Sequence, residues 1–189
     1  MEADEMKTAE IAETEATAAT ASTGKIEKAV QWMLKIANDN SHGYSQDNRW
    51  GPDYDCSSFI ISAWQQAGVP VKTNGASYTG NMKSVFLKCG FSNVTSKINV
   101  DTQNGLQRGD VLLNEASHTA TYIGSGKIVS ATGTKGIRKR ETRQEKKLQQ
   151  GHTTISHGIV SFGILQKTAG LHPVVPVPAP PSPEMPTFV

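Results

Sequence analysis

The sequence predicts an α+β fold: N-terminal helices, one of which carries a cysteine, packed on a small antiparallel sheet that carries a histidine. Three observations carry this prediction. Between residues 26 and 89 apolar side chains recur at helical spacing, with glycines closing the segments. From Val111 onward the pattern changes to short apolar runs and period-two alternation, broken by a Gly-Ser-Gly reversal. The chain has 189 residues, 37% of them hydrophobic, so it can bury a core without help. Two cysteines are too few for a disulfide framework or a four-ligand zinc site. Mean hydropathy is −0.40, and no run approaches the roughly 20 apolar residues of a membrane span, which excludes an integral membrane protein.

The elements follow in order. Residues 1–24 are dominated by Ala, Thr and Glu without an apolar period, and are expected to form a flexible arm outside the core. Ile26, Val30, Met33, Leu34 and Ala37 predict a first helix, capped by Ser22 or Thr23 and ending near Asn38. A polar loop through His42, Gly43, Tyr44, Arg49, Trp50, Gly51 and Pro52 leads to Asp53-Tyr54-Asp55-Cys56-Ser57-Ser58. Phe59, Ile60, Ala63, Trp64 and Ala67 form a stripe stopped by Gly68, which puts Cys56 in the first turn of a second helix. Met82, Val85 and Phe86 predict a third, with Cys89 at its end and Gly90 closing it. Arg108-Gly109-Asp110 turns into the strand Val111-Leu112-Leu113. His118 then opens a strand, and Gly124-Ser125-Gly126 reverses the chain into Lys127–Ala131. The domain is expected over 25–167, followed at 168–189 by a tail that holds seven of the nine prolines and favours extended backbone.

Cysteine is among the most buried residue types, so a lone Cys beside an apolar helix is ordinarily a core residue. Cys56 departs from that rule through its polar neighbours Asp55, Ser57 and Ser58, which suit a cleft. A thiol in a helix's first turn is expected to have its pKa lowered by the dipole, and the free N–H groups there suit an oxyanion. Cys89 stays with the core reading. Of five histidines, His118 at the edge of a hairpin is best placed as a base; His42 is the rival, and His152, His157 and His172 lack a framework. No His-Glu-x-x-His motif is present, and neither metal nor cofactor is expected.

Four blocks in order carry a resemblance: Arg49-Trp50-Gly51-Pro52-Asp53-Tyr54-Asp55-Cys56-Ser57-Ser58, Met82–Phe86 with Gly90-Phe91, Gln107–Val111, and His118–Ala120 with Tyr122-Ile123-Gly124. Together they resemble the NlpC family of papain-like cell-wall cysteine peptidases, and within it the phage cysteine amidase branch. The resemblance spans about Ile26 to Ala131. It implies Cys56 as nucleophile, His118 as base, and Ser130 at the orienting place where the family more often has His, Gln or Asn. It also implies that Tyr54, Asp55 and Ser57 contact the substrate, although in sequence terms each is more often a cap or turn residue, Asp55 above all. The implied activity is hydrolysis of an amide in the peptidoglycan stem, either muramoyl–L-alanine or γ-D-glutamyl, by a phage lysin acting as a monomer.

An acidic N-terminus without a secretory signal implies synthesis in the bacterial cytoplasm and release to the wall by lysis or injection. Residues 134–160 depart from the family: they are rich in Lys, Arg and Gln, lack alternation, and can be back-translated so that another frame restores family-like strings. A pair of compensating frameshifts accounts for this, and would leave the sheet without proper closing strands. Two other readings compete with hydrolysis. One is a catalytically impaired wall-binding or virion module of the same fold. The other, a nucleic-acid role for the basic residues between Lys135 and Lys147, lacks interleaved aromatic side chains and is set aside.

Overall fold

The computed structural model describes residues 2–99, 102–133, 148–151 and 163–167. Three helices, α1 (Glu2–Asn38), α2 (Cys56–Gln66) and α3 (Thr79–Lys88), precede the strands β1 (Phe91–Asn93), β2 (Val111–Asn114), β3 (His118–Gly124), β4 (Lys127–Ala131), β5 (Leu148–Gly151) and β6 (Gly163–Lys167). They form one sheet of order β1-β6-β2-β3-β4-β5, antiparallel at every pairing. The fold is α+β, as the segregation of helical and strand patterns predicts.

The first helix ends at Asn38 as expected, but it begins at Glu2 rather than at Ser22 or Thr23. Residues 2–24 thus continue α1. Ala, Glu, Lys and Met are strong helix formers even where nothing covers them, so propensity supplies what the missing apolar period does not. Thr23 does not cap: its hydroxyl donates to the Ala19 carbonyl at 2.9 Å, as Thr20 does to Ala16 at the same distance. Of the expected stripe, Val30 and Met33 are fully buried while Ile26, Leu34 and Ala37 pack against the core from its edge, and Ala29 and Ile36 join the buried set. Two contacts fix α1 to the sheet. Arg108 donates to Glu27 at 2.8 and 3.0 Å, and this pairing pulls the Glu27 carboxyl down to about 2. Gly109, at φ +96°, lies where a Cβ would come within 2.5 Å of Ile26, so the turn into β2 needs glycine for both backbone and space.

α2 is the central element of the helical layer. Phe59, Ile60, Ile61, Ala63 and Trp64 are fully buried, at roughly 1.5–3 kcal/mol for each large side chain. Trp64 meets Phe91 edge-on at 4.8 Å, and Phe86 lies 4.8 Å from the same ring, joining α2, α3 and β1. β3 and β4 pair through Thr121↔Val129 and Tyr122↔Ile128, but Gly124 meets Lys127, so one residue is bulged between them. Continuing the register sets Ser130 opposite Ala120, hence on the sheet face shared with His118. Without the bulge Ser130 would fall on the other face.

The closing strands differ from the expectation for 134–160. β5 lies inside that segment and pairs with β4 through Ser130↔Gln149 and Ala131↔Leu148, while β6 pairs with both β1 and β2. Backbone pairing needs no alternating side-chain pattern once a neighbouring edge offers its N–H and C=O groups. The remainder of 134–160 and the Pro-rich 168–189 lie outside the described residues.

Candidate active site

The head of α2 is built before Cys56 begins it. Asp55 caps the helix, its Oδ1 accepting the Ser58 N–H at 2.7 Å, and Ser58 returns the bond through its hydroxyl, 2.9 Å from the Asp55 N–H. Ser57 donates its hydroxyl to the same carboxylate oxygen at 3.0 Å. Arg49 closes the collar: its Nε lies 2.7 Å from Asp55 Oδ2, and its Nη2 donates to Ser57 Oγ at 2.7 Å and to the Ser77 carbonyl at 2.6 Å. The cap uses the Ser58 N–H, while the N–H groups of Cys56 and Ser57 favour a charged sulfur at the helix head.

His118 arrives by a tight turn. Ser117 N–H donates to the Asn114 carbonyl at 3.1 Å, Ala116 N–H donates to the Asn114 side chain at 3.0 Å, and Lys83 on α3 reaches Glu115 at 3.2 Å. The Thr119 N–H, one residue beyond His118 on β3, is among the backbone groups that favour a charged Cys56 sulfur. Ser130 is buried on β4, on the His118 face and diagonal to it. At diagonal positions side chains stand about 7–8 Å apart by backbone spacing, a long reach for a hydroxyl.

The electrostatics correct one expectation. Burial pushes the Cys56 thiol up, and the Asp55 carboxylate pushes the same way, against the N–H groups of Thr119, Ser57 and Cys56. Burial also pushes His118 down from its ordinary 6.5. Both shifts disfavour charge, so burial favours the neutral thiol and the neutral imidazole. The helix position alone suggested a thiolate; tertiary burial outweighs it.

Tyr54, Asp55 and Ser57 are all buried. The Tyr54 ring packs among Trp32, Phe59 and His42, at 5.5–6.0 Å between centroids, and the polar atoms of Asp55 and Ser57 are bonded within the collar. The rival His42 bonds the Pro52 carbonyl through Nδ1 and lies 3.7 Å from Asp39. His152, His157 and His172 lie outside the described residues.

Two residues of the loop before α2 gain roles that the sequence did not suggest. Arg49 holds the collar. Tyr44 lies near Cys56 and Asp55, its phenol raised chiefly by burial, and it packs against Gly133, two residues beyond β4. The loop is held there because Tyr54 N–H donates to the Gly43 carbonyl at 3.0 Å and Ser45 N–H to the Tyr54 carbonyl at 3.1 Å. Loop residues follow no period, and only these long-range bonds reveal them.

Fold and site together define an α+β domain with a cysteine at a helix head and a histidine on the adjoining strand. Residues 51–129 match the family model of the endolysin-like domain (ELLD). The match takes in Cys56 and His118, covers less than half of the chain, and ends one residue before Ser130. It supports an endolysin-like family and a cell-wall function of the phage-lysin type, with peptidoglycan as substrate. Among curated proteins none matches the chain. No helix among the described residues is long and apolar enough to cross a membrane.

Proposed function

We propose that the protein is a cysteine peptidoglycan hydrolase that cleaves an amide of the stem peptide, with Cys56 as nucleophile and His118 as base. The observation that carries this reading is Cys56 as the first residue of α2, behind the Asp55 cap, with the N–H of the residue after His118 among the groups that act on its thiol. The imidazole takes the thiol proton as the sulfur attacks the amide carbonyl carbon. The oxyanion is held by N–H groups at the helix head. His118 then gives its proton to the leaving amine as the C–N bond breaks. A water, deprotonated by His118, splits the thioester and releases the carboxylate and the Cys56 thiol. Because the resting pair is neutral, proton transfer accompanies attack and no preformed ion pair is needed.

Ser130 orients the imidazole weakly. Tyr54, Asp55 and Ser57 act by positioning Cys56, since their burial leaves them little surface for substrate. The phage-amidase resemblance favours the muramoyl–L-alanine amide over the γ-D-glutamyl bond. Purified cell walls test the whole reading. Digestion should be lost on alkylation of Cys56, and mass spectrometry should find free lactyl sugars with intact stems; severed stems would identify an endopeptidase instead. The raised thiol favours one alternative, a wall-binding module of impaired activity. That reading stands if walls are bound, no bond is cut, and alkylation changes nothing.

A further inference from the structure

Two large apolar side chains stand exposed among the described residues, Trp50 at 38% and Tyr78 at 56%. Exposed aromatics scattered singly call for no explanation, but these two flank one structure. Arg49 donates to the carbonyl of Ser77, the residue before Tyr78, at 2.6 Å, and to Ser57, the residue after Cys56, at 2.7 Å. Its guanidinium carbon lies 5.1 Å from the centroid of the Trp50 ring. One side chain thus ties both rings to the collar of the candidate nucleophile.

Both rings are also held in place. At Gly80, in the first turn of α3, a Cβ would stand 2.5 Å from Tyr78 Cε2, so the phenol ring lies on the helix where a side chain is missing and leaves its outer face to water. Trp50 is oriented by cations, with Lys72 Nζ 4.1 Å from its centroid in addition to Arg49. The Tyr78 ring, seated on one side and 56% exposed, offers an aromatic face that matches the C–H face of a pyranose ring, whose weakly positive hydrogens meet the negative face of the aromatic quadrupole, and the partly exposed Trp50 ring with its cations stands as a second, more polar contact. The exposed ammonium of Lys72 adds a donor for sugar hydroxyl or lactyl oxygens.

We infer that Tyr78 and Trp50 form a sugar-stacking subsite that holds the glycan strand of peptidoglycan beside Cys56. The inference rests on the reading of the site as a stem-amide hydrolase, and it gives that site a reason to prefer the bond next to the sugar. The test uses the full-length Cys56→Ala protein, which cannot turn over, and titrates it calorimetrically with stem-free GlcNAc–MurNAc tetrasaccharide and with a sugar-free stem peptide. The tetrasaccharide should bind. Tyr78→Ala should weaken that binding about tenfold, Trp50→Ala several-fold, and Tyr78→Phe hardly at all, because stacking needs the ring and not the hydroxyl. Gly80→Ala, which displaces the ring, should reproduce the loss. The inference is overturned if only the stem peptide binds, or if Tyr78→Ala and Trp50→Ala leave tetrasaccharide affinity unchanged. Wall digestion by the unmutated protein, with and without alkylation, is read in parallel. Thiol-dependent digestion with no glycan binding sinks the subsite alone, whereas thiol-independent digestion sinks the catalytic reading and leaves the binding result to stand.

Discussion

Cys56 and Cys89 are the same residue type, both half-buried and both at helix ends, yet their surroundings are opposite. Cys56 is the first residue of α2, with N–H groups of the helix head aimed at its sulfur and a capped, ion-paired collar around it. Cys89 is the C-cap of α3: its own N–H donates to the carbonyls of Val85 at 3.1 Å and Phe86 at 2.9 Å, and its sulfur accepts from Asn74 Nδ2 at 3.3 Å. The carbonyl end of a helix disfavours a negative sulfur, whereas the N–H end tolerates one. The contrast shows that helix polarity and a dedicated collar, rather than exposure, separate a candidate nucleophile from a packing residue.

The largest expected effect separates the two cysteines directly. Cys56→Ser should abolish wall hydrolysis while circular dichroism and thermal midpoint stay close to those of the parent, since an alcohol in nearly the same volume keeps a far higher pKa. Cys89→Ser should retain nearly full activity. An active Cys56→Ser variant, or a folded but inactive Cys89→Ser one, would falsify the distinction.

The collar comes next. Asp55→Ala removes the cap and strands the Arg49 guanidinium, which should cost about 1–3 kcal/mol in urea unfolding and lower activity more than the stability loss explains. Asn74→Ala beside Cys89 removes only a weak donor to sulfur and should leave both measurements nearly unchanged. Equal effects at the two sites would mean that the collar is no more than a structural cap.

Protonation offers a subtler distinction. His118 is a base whose folded pKa is lowered, so its neutral form persists to more acid pH than an ordinary histidine. The acid limb of kcat/KM against pH should therefore have its midpoint below 6.5. The same shift makes folding less favourable as pH falls through 6.5, because the unfolded chain takes up the proton first. A midpoint above 6.5 would show a raised imidazole pKa and contradict a buried histidine that rests neutral.

The smallest effect belongs to Ser130. Diagonal to His118 and short, it should lose only a few-fold in turnover as Ser130→Ala, far less than removal of a true orienting residue. Ser130→His should raise turnover, since an imidazole reaches across the diagonal and can accept the His118 ring N–H. A large loss in the alanine variant would make Ser130 a full member of the site.

Local pattern alone determined much of this protein. The ends of α1 and α2 and the hairpin of β3 and β4 follow from apolar period and glycine stops, because each is a property of neighbours in sequence; polar flanks likewise single out Cys56 over Cys89 as the candidate. The start of α1 lies outside that pattern: Ala-rich segments fold by propensity without any apolar signal, and Thr23 satisfies its hydroxyl inside the helix. Tertiary structure decided the rest. The bulge in β3 sets which face Ser130 shares, a choice that one residue of register reverses. Arg49 reaches the Asp55 and Ser57 collar, and Tyr44 the surroundings of Cys56, from a loop with no period, through contacts that no spacing encodes. The protonation state of the pair is the clearest case: position at a helix head suggests a thiolate, but burial by the packed fold is the larger effect and leaves the thiol and the imidazole neutral.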